Sequence, residues 1–230
     1  MNVLLLRLAG PMQSWGTQSR FTIRDTGFEP SKSGVIGLVC AALGRSRAAP
    51  IDDLAALYMG VRVDHEGNMS SDYHTTLNVI KASGAKPPPG EAVVSTRYYL
   101  ADADFLVGLA GDNLHLLEEI DAALANPYWT LFLGRKAFPP GEPVRLNDGL
   151  KPNQELRQAL ISHPRCTRAD DKKIRELRLI LEEPQGEVVR IDQPVSSFAE
   201  RRFVPRHVKT EFVLLSEIPI RKEELCISPC

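Results

Sequence analysis

Residues Val3 to Ala9 form an apolar run broken only by Arg7, and Gly10-Pro11 stops it abruptly. A run of this length and composition, ended by a strong breaker, predicts an interior strand in a sheet covered on both faces. Residues 10–31 are rich in Gly, Pro, Ser, Thr and Gln and have no apolar period, so they predict a long loop, and loops of that length in compact domains usually carry function. Val35 to Gly44 then reads as a helix, with Ser31 or Ser33 as cap and Gly44 as its end. Gly34, Gly37, Ala41 and Ala42 among its apolar residues predict close packing on a sheet.

Further along, Ile51 to Met59 predicts a short helix and Val61 to His65 a strand, closed by the turn Glu66-Gly67-Asn68. Two β-rich runs, Tyr73 to Ile80 and Ala92 to Leu100, flank a Lys-Pro-Pro-Pro-Gly segment at 86–90 and predict a protruding hairpin over about 69–100. Phe105 to Ala110 reads as another buried strand. Asn113 to Leu124 follows as an amphipathic helix, with Asp112 as its expected cap and Asn126-Pro127 as its stop. Strand, helix, strand, hairpin, strand and helix, completed by Pro143 to Leu146, follow the order of a ferredoxin-like βαββαβ unit, the topology of RNA-recognition folds. The expected fold class is therefore α+β: a modified ferredoxin-like (RNA-recognition-like) domain with an inserted β-hairpin thumb. Residues 1–150 hold that domain. Residues 151–230 add a small C-terminal β extension with runs at Leu177–Glu182, Glu187–Ile191 and Lys209–Leu215.

Composition narrows the function classes. With 43% hydrophobic and 25% charged residues, the 230-residue chain has globular proportions. No stretch approaches the ~20 apolar residues of a membrane span, and residues 2–8 are too short for a signal peptide, so the expectation is a cytoplasmic protein with no membrane partner. The four cysteines (Cys40, Cys166, Cys226, Cys230) form no CxxC pair. His163-Pro-Arg-Cys166 and the C-x3-C tail are the nearest approach to a zinc site, and neither metal nor cofactor is expected. There is no GxSxG, P-loop or HExxH motif.

The net charge of −1 hides an uneven distribution. Residues 1–50 carry six basic residues against two acidic ones, residues 165–178 carry six against three, and Arg201-Arg202 with Arg206 and Lys209 make a third basic segment opposed by Glu200. Such segments either converge on a phosphate-binding surface or are solvated faces and ion pairs. Lys32 with Ser31, Ser33 and Gly34 at a helix start has the donors of a phosphate site, or is an ordinary capped helix. Trp15, beside Gln13 in the long loop, either stacks on a base or anchors that loop in the core. Arg20 and Arg24 lie in the same loop. Arg135 and Lys136 follow a glycine that permits close backbone approach. On the hairpin sit Tyr73, His74 and Arg97. His74 raises the question of a metal-free ribonuclease, which needs a general base near neutral pH.

Several segments together carry a family resemblance. Leu6-Arg-Leu-Ala-Gly-Pro-Met-Gln-Ser-Trp-Gly16, Pro30-Ser-Lys-Ser-Gly-Val-Ile-Gly-Leu-Val-Cys-Ala-Ala-Leu-Gly44 and Asp72-Tyr-His-Thr-Thr-Leu77 stand in the first half. Tyr98-Tyr-Leu-Ala-Asp-Ala-Asp-Phe105, Leu133-Gly-Arg-Lys136 and Phe198-Ala-Glu-Arg-Arg-Phe203 follow. In this order and across nearly the full length, the chain resembles the CasD-type subunits of the type I-E CRISPR surveillance complex Cascade, in the RAMP superfamily. The resemblance implies a non-catalytic subunit that holds the 5′ repeat-derived tag of the CRISPR RNA. It also implies contacts with the backbone subunit CasC and the large subunit CasA, and access to target DNA only through the complex, in antiviral defence. Two alternatives stay open: a metal-independent endoribonuclease of the type I-C kind, and a protein-only scaffold. The RNA-contacting candidates are Gln13, Trp15, Arg20, Arg24, Ser31, Lys32, Ser33, Gly34, Tyr73, His74, Arg97, Arg135, Lys136, Arg201 and Arg202; none is assigned a catalytic role.

Overall fold

In the computed structural model, which describes residues 1–19, 22–80, 83–85, 88–166 and 174–221, the opening apolar run forms β1 (Asn2–Ala9). Its side chains alternate between two cores. Leu4, Leu6 and Leu8 face one and Val3 and Leu5 the other, so both faces of the strand are covered. Arg7 is tolerated because Asp104 on the neighbouring strand accepts both Nε and Nη2, at 3.2 and 2.8 Å.

The long loop contains two short strands, β2 (Met12–Gln13) and β3 (Ile23–Arg24). Then come α1 (Lys32–Leu43), α2 (Asp52–Ala55), β4 (Tyr58–His65), β5 (Asn68–Leu77), β6 (Ala92–Ala101), β7 (Asp104–Gly111) and α3 (Leu114–Ala125). The chain continues with β8 (Arg145–Lys151), α4 (Leu156–Ser162), β9 (Glu176–Glu182), β10 (Val188–Pro194) and β11 (Phe203–Leu214). One seven-stranded sheet runs β10-β11-β9-β4-β7-β1-β8, antiparallel at every pairing. The residues of α1 and α3 join the core on one face, and those of α4 join the core on the other. The result is an α+β protein with few helices, its sheets antiparallel except where β3 pairs with β6 in parallel.

Several expectations shift. The helix predicted over 51–59 stops at Ala55, because Tyr58, Met59 and Gly60 pair in register with Ala110, Leu109 and Gly108. Asn113, rather than Asp112, caps α3, its side chain accepting from Leu116 N. The C-terminal strands attach through β4: its Gly60, Val61 and Arg62 pair with Leu181, Ile180 and Leu179 of β9, so β9 to β11 lengthen the same sheet. Helix α4 is not among the expected elements, although Leu156, Ala159 and Leu160 stand at helical spacing. It sits where Gly60 and Gly108 lie side by side in the sheet, and a Cβ on either would come within 2.7 Å of α4 leucine side chains. Buried Arg62 holds the helix end by donating Nη1 to the carbonyls of Leu160 and His163 while Asp64 takes its Nε and Nη2.

Candidate nucleic-acid interface

A second sheet carries most of the candidate residues. β6 is its centre: β5 pairs along one side, and β2 and β3 along the other. Residues paired across neighbouring strands project to the same face. Asp72 of β5, Arg97 of β6 and Arg24 of β3 are paired in one row, so their side chains share a face. One step along, His74 pairs with Ser95 on that same face, and Arg97 Nε donates to Ser95 Oγ at 3.0 Å.

Arg135 enters the row from the loop that follows α3. Its Nη2 donates to the carbonyls of Tyr98 at 2.8 Å and Arg24 at 3.3 Å, and its guanidinium lies 5.5 Å from the centre of the Phe138 ring. The approach requires Gly134. Its φ is +87°, and a Cβ there would overlap the carbonyl oxygen of Ser14. Partial burial, and then the cations Arg97 and Arg24, push the Arg135 guanidinium below its ordinary pKa, while Asp25 and Asp72 oppose the shift. Arg97 and Arg24 thus lie near enough to Arg135 to act on its charge, as do Asp25 and Asp72. Asp25 is itself fixed. Partial burial opposes its ionisation, but donors on Ser19, Gln18 and Thr17 hold its carboxyl below the usual range.

Other candidates are structural, and the geometry says why. Gln13 is buried: Nε2 donates to Leu8 O at 2.9 Å and Ala103 O at 2.8 Å, while Oε1 accepts from Trp15 Nε1 at 3.1 Å. Trp15 is 2% exposed and packs on Gly34, where a Cβ would sit 2.9 Å from its ring, so it is the core anchor and not a free stacking platform. The phosphate site expected at the start of α1 is already filled by this chain's own acids. The backbone N–H of Lys32 donates to Asp192 Oδ2 at 2.7 Å, and the Lys32 amine, 1% exposed, meets Glu182 at 2.9 Å. Ser31 is buried at the N-cap position with no side-chain capping bond, and Ser33 and Gly34 are half-buried.

Tyr73, 74% exposed, and His74 are neighbours on β5 and so point to opposite faces. The Nδ1 of His74 lies 3.2 Å from Asp72 Oδ2. Tyr73, His74, Arg97 and Lys136 thus do not converge on one site. Lys136 is exposed. Arg201 and Arg202 are exposed on the loop between β10 and β11, where Arg202 faces Glu200 at 3.6 Å. Arg20 lies outside the described residues, as do Cys226 and Cys230. Of the basic segment 165–178, Arg165 is buried and Arg178 is bound by Glu29 and Glu66. Sequence reasoning passed over Asp25, Asp72, Ser95 and Phe138. Asp72 and Ser95 were in principle available, from the two-residue alternation around His74 and Arg97.

Among the described residues, no group of three or more His, Cys, Asp or Glu side chains could hold a metal ion, and no helix is long and apolar enough to cross a membrane.

Residues 3–209 match the family described as CRISPR-associated protein (Cas_Cas5). The chain is 35% identical over 161 residues to CRISPR system Cascade subunit CasD of Escherichia coli (strain K12), covering 62% of this chain and 69% of that one. A solved structure described as a crystal structure of Cas protein matches with a TM-score of 0.78 and 43% identity, over 95% of this chain and 98% of the other. A chain of a CRISPR RNA-guided surveillance complex matches with a TM-score of 0.76 and 34% identity, over 95% of both.

Proposed function

The chain belongs to the CRISPR-associated Cas5 family, and from that premise we propose that it is a non-catalytic subunit of a CRISPR RNA-guided surveillance complex that binds the 5′ repeat-derived tag of the CRISPR RNA. The observation that carries the reading is the row of Arg24 and Arg97 joined by Arg135. Guanidiniums gathered on one sheet face suit the phosphates of a single strand. Exposed Lys136, next in sequence to Arg135, adds a charge beside them.

In this reading strands β8-β1-β7-β4, with α1 and α3 on one face, are the ferredoxin-like core, since that strand order and antiparallel pairing are those of a βαββαβ unit. The β5–β6 hairpin is the thumb. The partners are the CasC-type and CasA-type subunits of the same complex, target DNA is reached through the complex, and the setting is the cytoplasm. Tyr73 and His74 point to opposite faces of β5, which favours a binder over a ribonuclease built on that pair.

The test is equilibrium binding of the full chain to single-stranded tag RNA across a salt series. Arg24→Ala with Arg97→Ala should flatten log K against log salt by about 1.4, at ~0.7 per lost contact. An unchanged slope refutes the phosphate row. Shortened RNA product formed without metal from repeat RNA, and lost in His74→Ala, selects the endoribonuclease instead.

A further inference from the structure

The loop that follows α3 leaves two neighbouring aromatic side chains in solvent: Tyr128 is 72% exposed and Trp129 45%. Single exposed apolar residues are ordinary on a protein surface. This pair differs because its backbone is held from below. Tyr128 N donates to Ala42 O at 2.9 Å and Trp129 N to Ala41 O at 3.1 Å, so both residues are tied to the last turn of α1. The Tyr128 ring lies on Gly44, where a Cβ would come 2.7 Å from Cγ. The two rings meet edge to face, with 5.2 Å between centroids and 85° between planes. Perpendicular rings make a corner with a π face on each wall.

The surroundings of that corner are negative. Tyr128 stands just past the end of α3, so its bond to Ala42 brings the C-terminal ends of α1 and α3 to the same place. Each end is the negative pole of its helix, and neither last turn contains a basic residue. Arg45, beside Gly44, is already taken: Asp53 accepts its Nη1 and Nη2 at 2.7 and 2.6 Å. Glu119 of α3 also lies near enough to act on Arg45, which leaves two carboxylates to one guanidinium. Arg47 turns its Nη2 to Phe198 O at 3.4 Å.

Electron-rich ring faces beside two negative helix poles suit a cation, and the attraction grows as an interface excludes water. The same poles disfavour a phosphate backbone, so the occupant they fit is protein and not RNA. Trp, Tyr and Arg are also the residues on which protein interfaces concentrate their binding energy. We propose that Tyr128 and Trp129 receive an arginine or lysine side chain of an adjoining protein subunit. The inference rests on the membership of a complex proposed above and adds a contact point to it.

The experiment measures the affinity of the full chain for the remaining subunits assembled on CRISPR RNA. Trp129→Ala should weaken it by roughly 5- to 30-fold, the range of a cation–π contact shielded from water. Trp129→Phe, which keeps a weaker π face, should lie between, and thermal unfolding should show both variants folded. Replacing Trp129 alone by fluorinated tryptophans withdraws electron density from the ring with little change in its shape. Affinity should then fall stepwise with the number of fluorine atoms. Photoreactive p-benzoylphenylalanine in place of Tyr128 should cross-link to a protein subunit. Equal affinity of wild type and Trp129→Ala overturns the site. A loss in Trp129→Ala without any dependence on fluorination marks a merely apolar contact and overturns the cation, and cross-linking to the RNA overturns the choice of partner. If wild type joins the complex and Trp129→Ala joins it equally well, only this contact fails. A wild-type chain that does not join the complex overturns the membership reading and the contact together.

Discussion

Lys32→Met separates two physical roles for one residue. As a phosphate contact at a helix start, Lys32 would contribute to the salt dependence of RNA binding and little to stability. In the structure its amine is buried against Glu182 at 2.9 Å, within a network in which Arg206 also faces Glu182 at 3.6 Å and binds Asp192. Removing one partner of a buried pair leaves an uncompensated charge and typically costs about 3–5 kcal/mol. Glu182 would keep Arg206 and the backbone N–H of Met59 at 3.1 Å, so the lower end applies, about 3 kcal/mol. At ~2–4 °C per kcal/mol for a chain of this size, that lowers Tm by roughly 6–12 °C. Urea unfolding should show the same loss. Lys32→Met combined with Glu182→Gln should be less destabilised than Lys32→Met alone, because cation and carboxylate are removed together and the buried cluster is again balanced in charge. The RNA salt slope should not move. Stability within 0.5 kcal/mol of wild type, with a slope reduced by about 0.7, would refute the reasoning and return Lys32 to the RNA.

His163 is buried, and burial pushes its imidazole down to about 4, with Asp148 opposing the shift. The unfolded chain then binds a proton that the native state refuses, so stability should fall as pH drops from about 6.5 towards 4. Between pH 7 and 5 the loss is about 2 kcal/mol by urea unfolding, and His163→Gln should remove it. Gly134→Ala should cost about 1–3 kcal/mol, because φ is +87° and the new Cβ meets Ser14 O; it should also weaken RNA binding by displacing Arg135. Trp15→Ala should destabilise by about 3–5 kcal/mol in the absence of RNA, as read by thermal unfolding.

Apart from β2, β3 and α4, the order of strands and helices was legible because those elements rest on local signals. The apolar run at Val3–Ala9 makes β1, the left-handed Gly44 ends α1, and the Lys-Pro-Pro-Pro-Gly segment separates the two strands of the hairpin. The family was legible too, through motifs kept in order along the chain, and so were the basic residues that any phosphate site would need. Only the tertiary structure decided which of those residues are free to meet a partner. Lys32 and Arg24 look alike in sequence; the first is met by Glu182, a residue 150 positions away, and the second is aligned with Arg97 by strand pairing. Burial, and the identity of a charge's nearest partner, depend on contacts between segments far apart in the chain. Local composition and periodicity carry no record of those contacts, so the same cationic residue becomes a buried structural pair or an available ligand group only once the sheets are assembled.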